Sequence, residues 1–418
     1  MKKLIVTILD AGTRITRSDM RYVARGGSWM FVSEIVSNLA LALLALSYAH
    51  FLSPEVYGQY KFALAGLGLL SSFSLTGLST SYMRSVAIGA TNSLSSTLLV
   101  GMKWSIFSAF LAGLVSGYYF FQGNTFLGTA FAFTALFLPF FSNFSIYDSF
   151  LLGKKKFSAQ TKYRVLRIIL STTILIAGII IFNNPLVIFL IYLFSTTLIS
   201  ALFYFLVNRS VVEKKNDFDP EMVPYAKHLT AMSIFSRLIS HVDEILAFHF
   251  LGPAQLAVYA FAIALPRQVK SFNGIINNLI FPKLTEKTLP ELRKILPFKI
   301  FIFTAFLAVL NFFYILLAPF VYSLFFPQYI DAVAYSQVFS LTITIAGPML
   351  FLSELLVTHK KSKELYILRF ITPITKLTLL FFLVPRFGIW GAVWSLLIGD
   401  VVNLIILLYF FFQIKNTR

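Results

Sequence analysis

Apolar residues run along this chain in blocks of about 20, broken by short clusters of Gly, Pro, Asn and basic residues. A block of that length, at about 1.5 Å of helical rise per residue, crosses a hydrocarbon core of about 30 Å. The pattern predicts helical spans at 28–51, 62–82, 95–120, 125–150, 165–183 and 185–207. It predicts six more at 229–250, 254–281, 298–322, 332–357, 365–384 and 388–412. Turn chemistry marks the breaks, with "QGN" at 122, "NNP" at 183, "GP" at 252 and "PRFG" at 385. The expected fold is an all-α integral membrane protein of twelve transmembrane helices.

One stretch is written twice. Residues 50–65, "HFLSPEVYGQYKFALA", and 249–264, "HFLGPAQLAVYAFAIA", agree at eight of sixteen positions at a constant offset of 199. Each copy is the end of an odd-numbered span, its turn and the start of the next. Six spans lie between the copies, an even number, so both have the same orientation. The expectation is a parallel repeat: two six-helix lobes related by a pseudo-twofold axis along the membrane normal. "LRII" at 166 and "LRFI" at 368 echo it. The division is then a basic segment 1–27, a first lobe 28–207, a linker 208–228, a second lobe 229–412 and a tail 413–418.

Composition fits a membrane protein. The chain is 58% apolar and only 12% charged, with a mean hydropathy of +0.80, against about 25% charged residues in soluble domains. The start, "MKKLIVTILDAGTRITR", has too short an apolar core and no small-residue cleavage site for a signal peptide. The net charge of +18 is a topology signal and not a nucleic-acid footprint. Basic residues such as Arg21, Arg25 and those of "GKKK" at 153 and "HKK" at 359 gather in the N-terminal segment, the tail and the even-numbered connections. Only Lys61 and Arg386 fall in the opposite loops. Both termini are therefore expected on the cytoplasmic side. No cysteine is present, so disulfides and thiolate metal sites are excluded. There is no Walker-type glycine loop and no metal-spaced His/Asp/Glu grouping, so no cofactor is expected beyond a coupling H+ or Na+.

A charge near the bilayer centre costs about 2.5 kcal/mol or more, which makes each one a candidate. Span 8 carries Arg267 and Lys270, and on a helical wheel these share an arc of about 100° with Gly274, Asn277 and Asn278. Pro266 opens that stripe with a kink. Cations beside amides suit a diphosphate. Span 7 carries Arg237, His241 and Glu244 within about 60°, with Asp243 about 120° from Arg237. Arg237, Arg267, Lys270, Asn277 and Asn278 are the candidates for headgroup binding. Asp243, Glu244, His241, Glu34 and Asp400 are the candidates for ion coupling. The alternative is that these groups pair with one another and hold the bundle; Lys376 in span 11 and Asp400 in span 12 are one such pair. Arg84 and Lys283, at equivalent ends of spans 2 and 8, are candidates for headgroup access or orientation anchors. Lys103 reads as a snorkelling lysine, and the repeated His50 and His249 as interfacial packing groups. The repeat places Gly68, Ser71 and Asn38 where the second lobe has Arg267, Lys270 and Arg237, so the charge belongs to one lobe.

The twelve-span plan, "FLSPEVYGQY", "SLTGLSTSYMR" (74–84), "FLGPAQLAVYAFA" and "NLIFPKL" (278–284) resemble the polysaccharide-export branch, of O-antigen flippase type, of the multidrug/oligosaccharidyl-lipid/polysaccharide exporter superfamily. The resemblance implies a flippase moving undecaprenyl-diphosphate-linked oligosaccharide across a bacterial or archaeal cytoplasmic membrane by alternating access, alongside other polysaccharide-assembly membrane proteins. Peptidoglycan-precursor flippases of this superfamily resemble fourteen-span chains, from which this chain departs. The competing readings are a multidrug exporter, which would use an acid-dominated cavity, and a membrane glycan polymerase or glycosyltransferase, which would use a large external loop. Neither feature is evident.

Overall fold

A computed structural model of the chain describes residues 20–90, 93–209, 219–271, 289–359 and 361–413. It is helical throughout, with no strand among the described residues. In chain order the helices are α1 (Met20–Phe51), α2 (Pro54–Ser71), α3 (Leu78–Ala87), α4 (Leu94–Phe121), α5 (Thr125–Phe141), α6 (Ile146–Gly153) and α7 (Phe157–Ile181). They continue as α8 (Pro185–Arg209), α9 (Met222–Leu251), α10 (Pro253–Ser271), α11 (Leu289–Phe325), α12 (Ala332–Thr358) and α13 (Ser362–Gln413).

The expected spans map onto these helices, with informative departures. Span 2 is two helices, α2 and α3, and it begins at Pro54 where 62 was expected. Span 4 is α5 and α6, broken after Pro139, whose missing N–H and bulky ring disfavour a continuous helix. Spans 11 and 12 run as one trace, α13, broken at Gly388, where φ of 59° and ψ of −134° are accessible to glycine alone at little cost. Local chemistry sets the other ends. Pro54, Pro185 and Pro253 occupy first helical positions, where a missing N–H costs nothing. Ser93 accepts from Ser96 N at 3.0 Å, and Asn124 accepts from Leu127 N at 3.0 Å, each satisfying an orphan donor.

Among the described residues, eight helical segments are long and apolar enough to cross a membrane. Outside that set stand the short α3 and α2, α9 and α10, of which the last three carry Lys61, Asp243, Glu244, Arg267 and Lys270. The charge that lowers their hydropathy is also what distinguishes them chemically.

The described helices form two compact units, 20–47 with 70–232, and 48–69 with 233–413. These do not follow the lobe boundaries read from sequence residue for residue. The first unit has a core of Leu75, Tyr82, Tyr147, Phe203, Tyr204 and Met222. Met222 and Ala226 are buried in it, so part of the expected 208–228 linker is core and α9 starts inside it. Ser81 Oγ donates to Met222 O at 2.5 Å, and the backbone passes Gly77 so closely that a Cβ there would strike Ala226 O. The second unit is centred on Leu296, Leu352, Leu355, Leu407 and Phe411.

The second unit also claims residues 48–69, and packing explains why. Gly58 lies against the backbone of Pro253, with no room for a Cβ. Phe62 stacks on Phe248 at 3.9 Å, and Phe261 stacks on Tyr329 at 3.9 Å with Tyr57 at 5.2 Å. The two copies of the repeated turn thus pack against each other. Replacing Gly58 by Val is expected to destabilise the protein by about 2 kcal/mol or more through overpacking. Gly113→Ala, which meets open space, should leave the thermal midpoint nearly unchanged, and thermal unfolding in detergent compares the two.

Candidate functional site

Two charged nodes stand inside the second unit, both on helices the sequence singled out. The first is built on α9. Asp243 and Glu244 are adjacent, so their side chains diverge by about 100°, yet both are buried, at 1% and 4% exposure. Arg267 on α10 reaches between them. Its Nη2 donates to Asp243 Oδ2 at 2.6 Å, and its Nη1 lies 3.7 Å from Glu244 Oε1. Tyr259, two turns before Arg267 on the same face, donates its hydroxyl to Asp243 Oδ2 at 2.8 Å. Lys61 on α2 completes the node, with Nζ 3.1 Å from Glu244 Oε1. Two carboxylates therefore face two cations. Asp243 Oδ1 is buried and accepts no hydrogen bond among the described residues.

The second node lies on α10 and the two arms of α13. Asp400, 6% exposed, accepts from Lys376 Nζ at 2.6 Å and from Lys270 Nζ at 3.1 Å, one lysine on each oxygen. Gly399 makes this possible: the Lys376 stem lies against it, where a Cβ would collide. The node borders a cavity of about 610 Å³ that also reaches Arg369, Asn403, Met349 and Leu368, within the usual range of ligand sites.

The pairing drawn from sequence for Lys376 and Asp400 is present. The structure separates the two span 8 cations that the wheel placed on one stripe. Arg267 belongs to the Asp243/Glu244 node and Lys270 to the Asp400 node. Arg237 is exposed on α9, and no ion pair joins it to either node among the described residues. His241 is half-buried and its ring lies over Gly68, where a Cβ would come within 2.5 Å. Gly68 is the repeat counterpart of Arg267, so the small residue in the first copy makes room for a side chain from the second. Glu34 is half-buried in α1, while Lys103, His50 and His249 are exposed. Arg84 is exposed, with its guanidinium 5.1 Å above the Tyr225 ring in a cation–π contact. Asn277, Asn278 and Lys283 lie outside the described residues.

Lys61 was assigned from sequence to an external loop, and this is corrected: it sits in α2 and pairs with Glu244. The repeat held the signal, since Lys61 aligns with Ala260, well inside span 8. Tyr259 was noticed only as a repeated position. Its counterpart Tyr60 meets Tyr48, hydroxyl to hydroxyl, at 3.2 Å; the duplicated tyrosine was kept and its partner changed.

The chain belongs to the polysaccharide biosynthesis protein family, which matches residues 23–287. No curated protein matches it by sequence. Among solved structures it is similar to the lipid II flippase MurJ in an inward closed conformation, at a TM-score of 0.64 and 15% identity over 92% of this chain and 87% of that one. It is also similar to an inward-facing multidrug resistance MATE family transporter of the MOP superfamily, at a TM-score of 0.58 and 15% identity, covering 91% of this chain and 94% of the other. A third is a MOP superfamily transporter from Pyrococcus furiosus described as having a binding pocket of reverse polarity. It gives a TM-score of 0.54 and 17% identity over 93% of this chain and 92% of that chain. The fold is that of these MOP transporters, and the protein is a multi-pass membrane protein.

Removing one partner of a buried ion pair leaves the other uncompensated, at about 3–5 kcal/mol, whereas replacing both by apolar groups is often neutral. Arg267→Met is therefore expected to lower the thermal midpoint sharply, and Arg267→Met with Asp243→Leu and Glu244→Gln to recover most of it. A triple variant no more stable than Arg267→Met alone would show that the node does not behave as a closed set of charges.

Proposed function

We infer that the protein is a flippase for undecaprenyl-diphosphate-linked oligosaccharide, the repeat unit of a surface polysaccharide, working by alternating access in a bacterial or archaeal cytoplasmic membrane. Both termini are on the cytoplasmic side in this reading, as the distribution of Lys and Arg favours. Membership of a polysaccharide biosynthesis family supports the cargo class. One observation carries the mechanism: four partly buried cations, Lys61, Arg267, Lys270 and Lys376, are paired with three buried carboxylates.

A cation parked on a carboxylate is ready to exchange it for another anion. A diphosphate offers oxygens of the same hydrogen-bonding type, and the Arg267 fork and the lysine ammoniums can transfer to it. The headgroup then crosses while its charge stays paired, and the prenyl tail remains in lipid. The carboxylates left behind, Asp243 and Glu244 wholly and Asp400 only as far as its lysines share their donors with the ligand, need a cation in turn. A proton or Na+ taken up there couples ion movement to transport, with His241 and Glu34 as further groups able to take part. No other cofactor is required.

A multidrug exporter is the second reading, favoured by the buried pair Asp243 and Glu244, which would suit an organic cation. Their occupation by Lys61 and Arg267 weighs against it. The test is flipping of a diphosphate-linked prenyl saccharide in proteoliposomes. Arg267→Ala/Lys270→Ala is expected to lower the rate tenfold or more at equal reconstitution and equal monodispersity. Unchanged transport would remove both cations from the mechanism, and a wild type that exports organic cations but flips no saccharide would select the second reading.

A further inference from the structure

The cavity beside Asp400 is lined by residues of one unit, with Ser236 on α9, Lys270 on α10, Met349 and Leu350 on α12, and Arg369 and Lys376 on α13. Its charge is lopsided. Lys270, Lys376 and Arg369 set three positive charges against the single negative charge of Asp400. Both oxygens of Asp400 already accept from a lysine. Each lysine, however, carries three donors and gives one of them to Asp400. Two donors per ammonium remain for something else at a node that borders the cavity.

Arg369 and Lys376 are seven residues apart on α13 and share a face, which places them about 10 Å apart along the helix axis. Arg369 is exposed and lies nearer the helix end, while Lys376 is half-buried deeper in. Thr372 lies between them in the lining, with Asn403 near the inner level. The cavity thus has an outer cation, a polar path and an inner pair of ammoniums held apart by one carboxylate. Apolar side chains such as Met349, Leu350 and Leu368 form the rest of its wall.

We propose that this cavity is the diphosphate subsite: Arg369 receives the anionic group of a prenyl diphosphate and Lys270 with Lys376 hold it at the inner level, Asp400 serving as the positioning residue that spaces the two ammoniums. This rests on the flippase reading for the ligand's identity and adds two binding residues, Arg369 and Lys376. It also divides the labour. Arg267, bound to two carboxylates at the other node, does not line this cavity and would meet the headgroup at a different stage of transport, while Lys270 faces it here.

Binding of farnesyl diphosphate to the full-length protein in phosphatidylcholine nanodiscs tests this separately from transport. The expected result is saturable binding weakened tenfold or more in Arg369→Gln, in Lys376→Gln and in Leu350→Trp, which fills the cavity. Arg369→Gln removes an exposed side chain, so its folding is secure even where Lys376→Gln, which leaves Asp400 short of a partner, proves unstable. Inorganic diphosphate should bind more weakly than the prenyl ester, because it leaves the apolar wall unused. Equal binding by wild type and Arg369→Gln, no binding by wild type, or displacement of the ligand by phosphatidylglycerol at equal concentration would each overturn the assignment. Binding with these signatures in a protein that flips no saccharide would leave the subsite standing and the flippase reading fallen.

Discussion

An ionised side chain in the middle of a bilayer must be paired, because leaving it bare costs about 2.5–3.5 kcal/mol even on the mildest scales. This constraint organises the second unit. Asp243, Glu244 and Asp400 are each bonded to a cation, and Arg267, Lys61, Lys270 and Lys376 each to a carboxylate. The pairs run between α2, α9, α10 and α13, the helices that any movement within this unit would have to shear. Buried pairs of this kind are poor sources of net stability compared with apolar packing. In the flippase reading their presence is explained by the anion for which the cations exchange their carboxylates.

Small residues let the pairs form. Gly68 admits the His241 ring, and Gly399 admits the stem of Lys376. Gly58 brings the two repeated turns into backbone contact, which sets α2 beside α9 and delivers Lys61 to Glu244. The repeated turn therefore has a structural meaning: duplication supplied two copies of a self-complementary element, and the second unit uses both. The two copies differ in charge: Arg267 and Lys270 stand where the first has Gly68 and Ser71, and Lys61 stands where the second has Ala260.

The helical plan was legible because apolar block length and turn residues act locally. The pairing of Lys376 with Asp400 was legible because both stand at depth with few other groups to meet. Three things were not. Lys61 was lost to a boundary drawn eight residues late at Pro54, where hydropathy falls because of the charge itself. The split between Arg267 and Lys270 was hidden because a helical wheel gives direction but not the identity of the neighbouring helix. The boundaries of the compact units were hidden because Gly58 and Met222 owe their places to tertiary contacts with distant segments.

The family is one of polysaccharide biosynthesis and the fold is that of the MOP transporters; in the flippase reading the paired cations supply a physical route for an anion. The central claim is exchange: a diphosphate takes the cations, and the carboxylates it displaces take up a proton or Na+ in their place. Titrating a prenyl diphosphate calorimetrically in two buffers of different ionisation enthalpy, with and without Na+, tests it most directly. The account predicts net proton uptake on binding, or binding that tightens as Na+ is added. Binding that neither takes up protons nor responds to Na+ would contradict it, because the displaced carboxylates would then have been left bare.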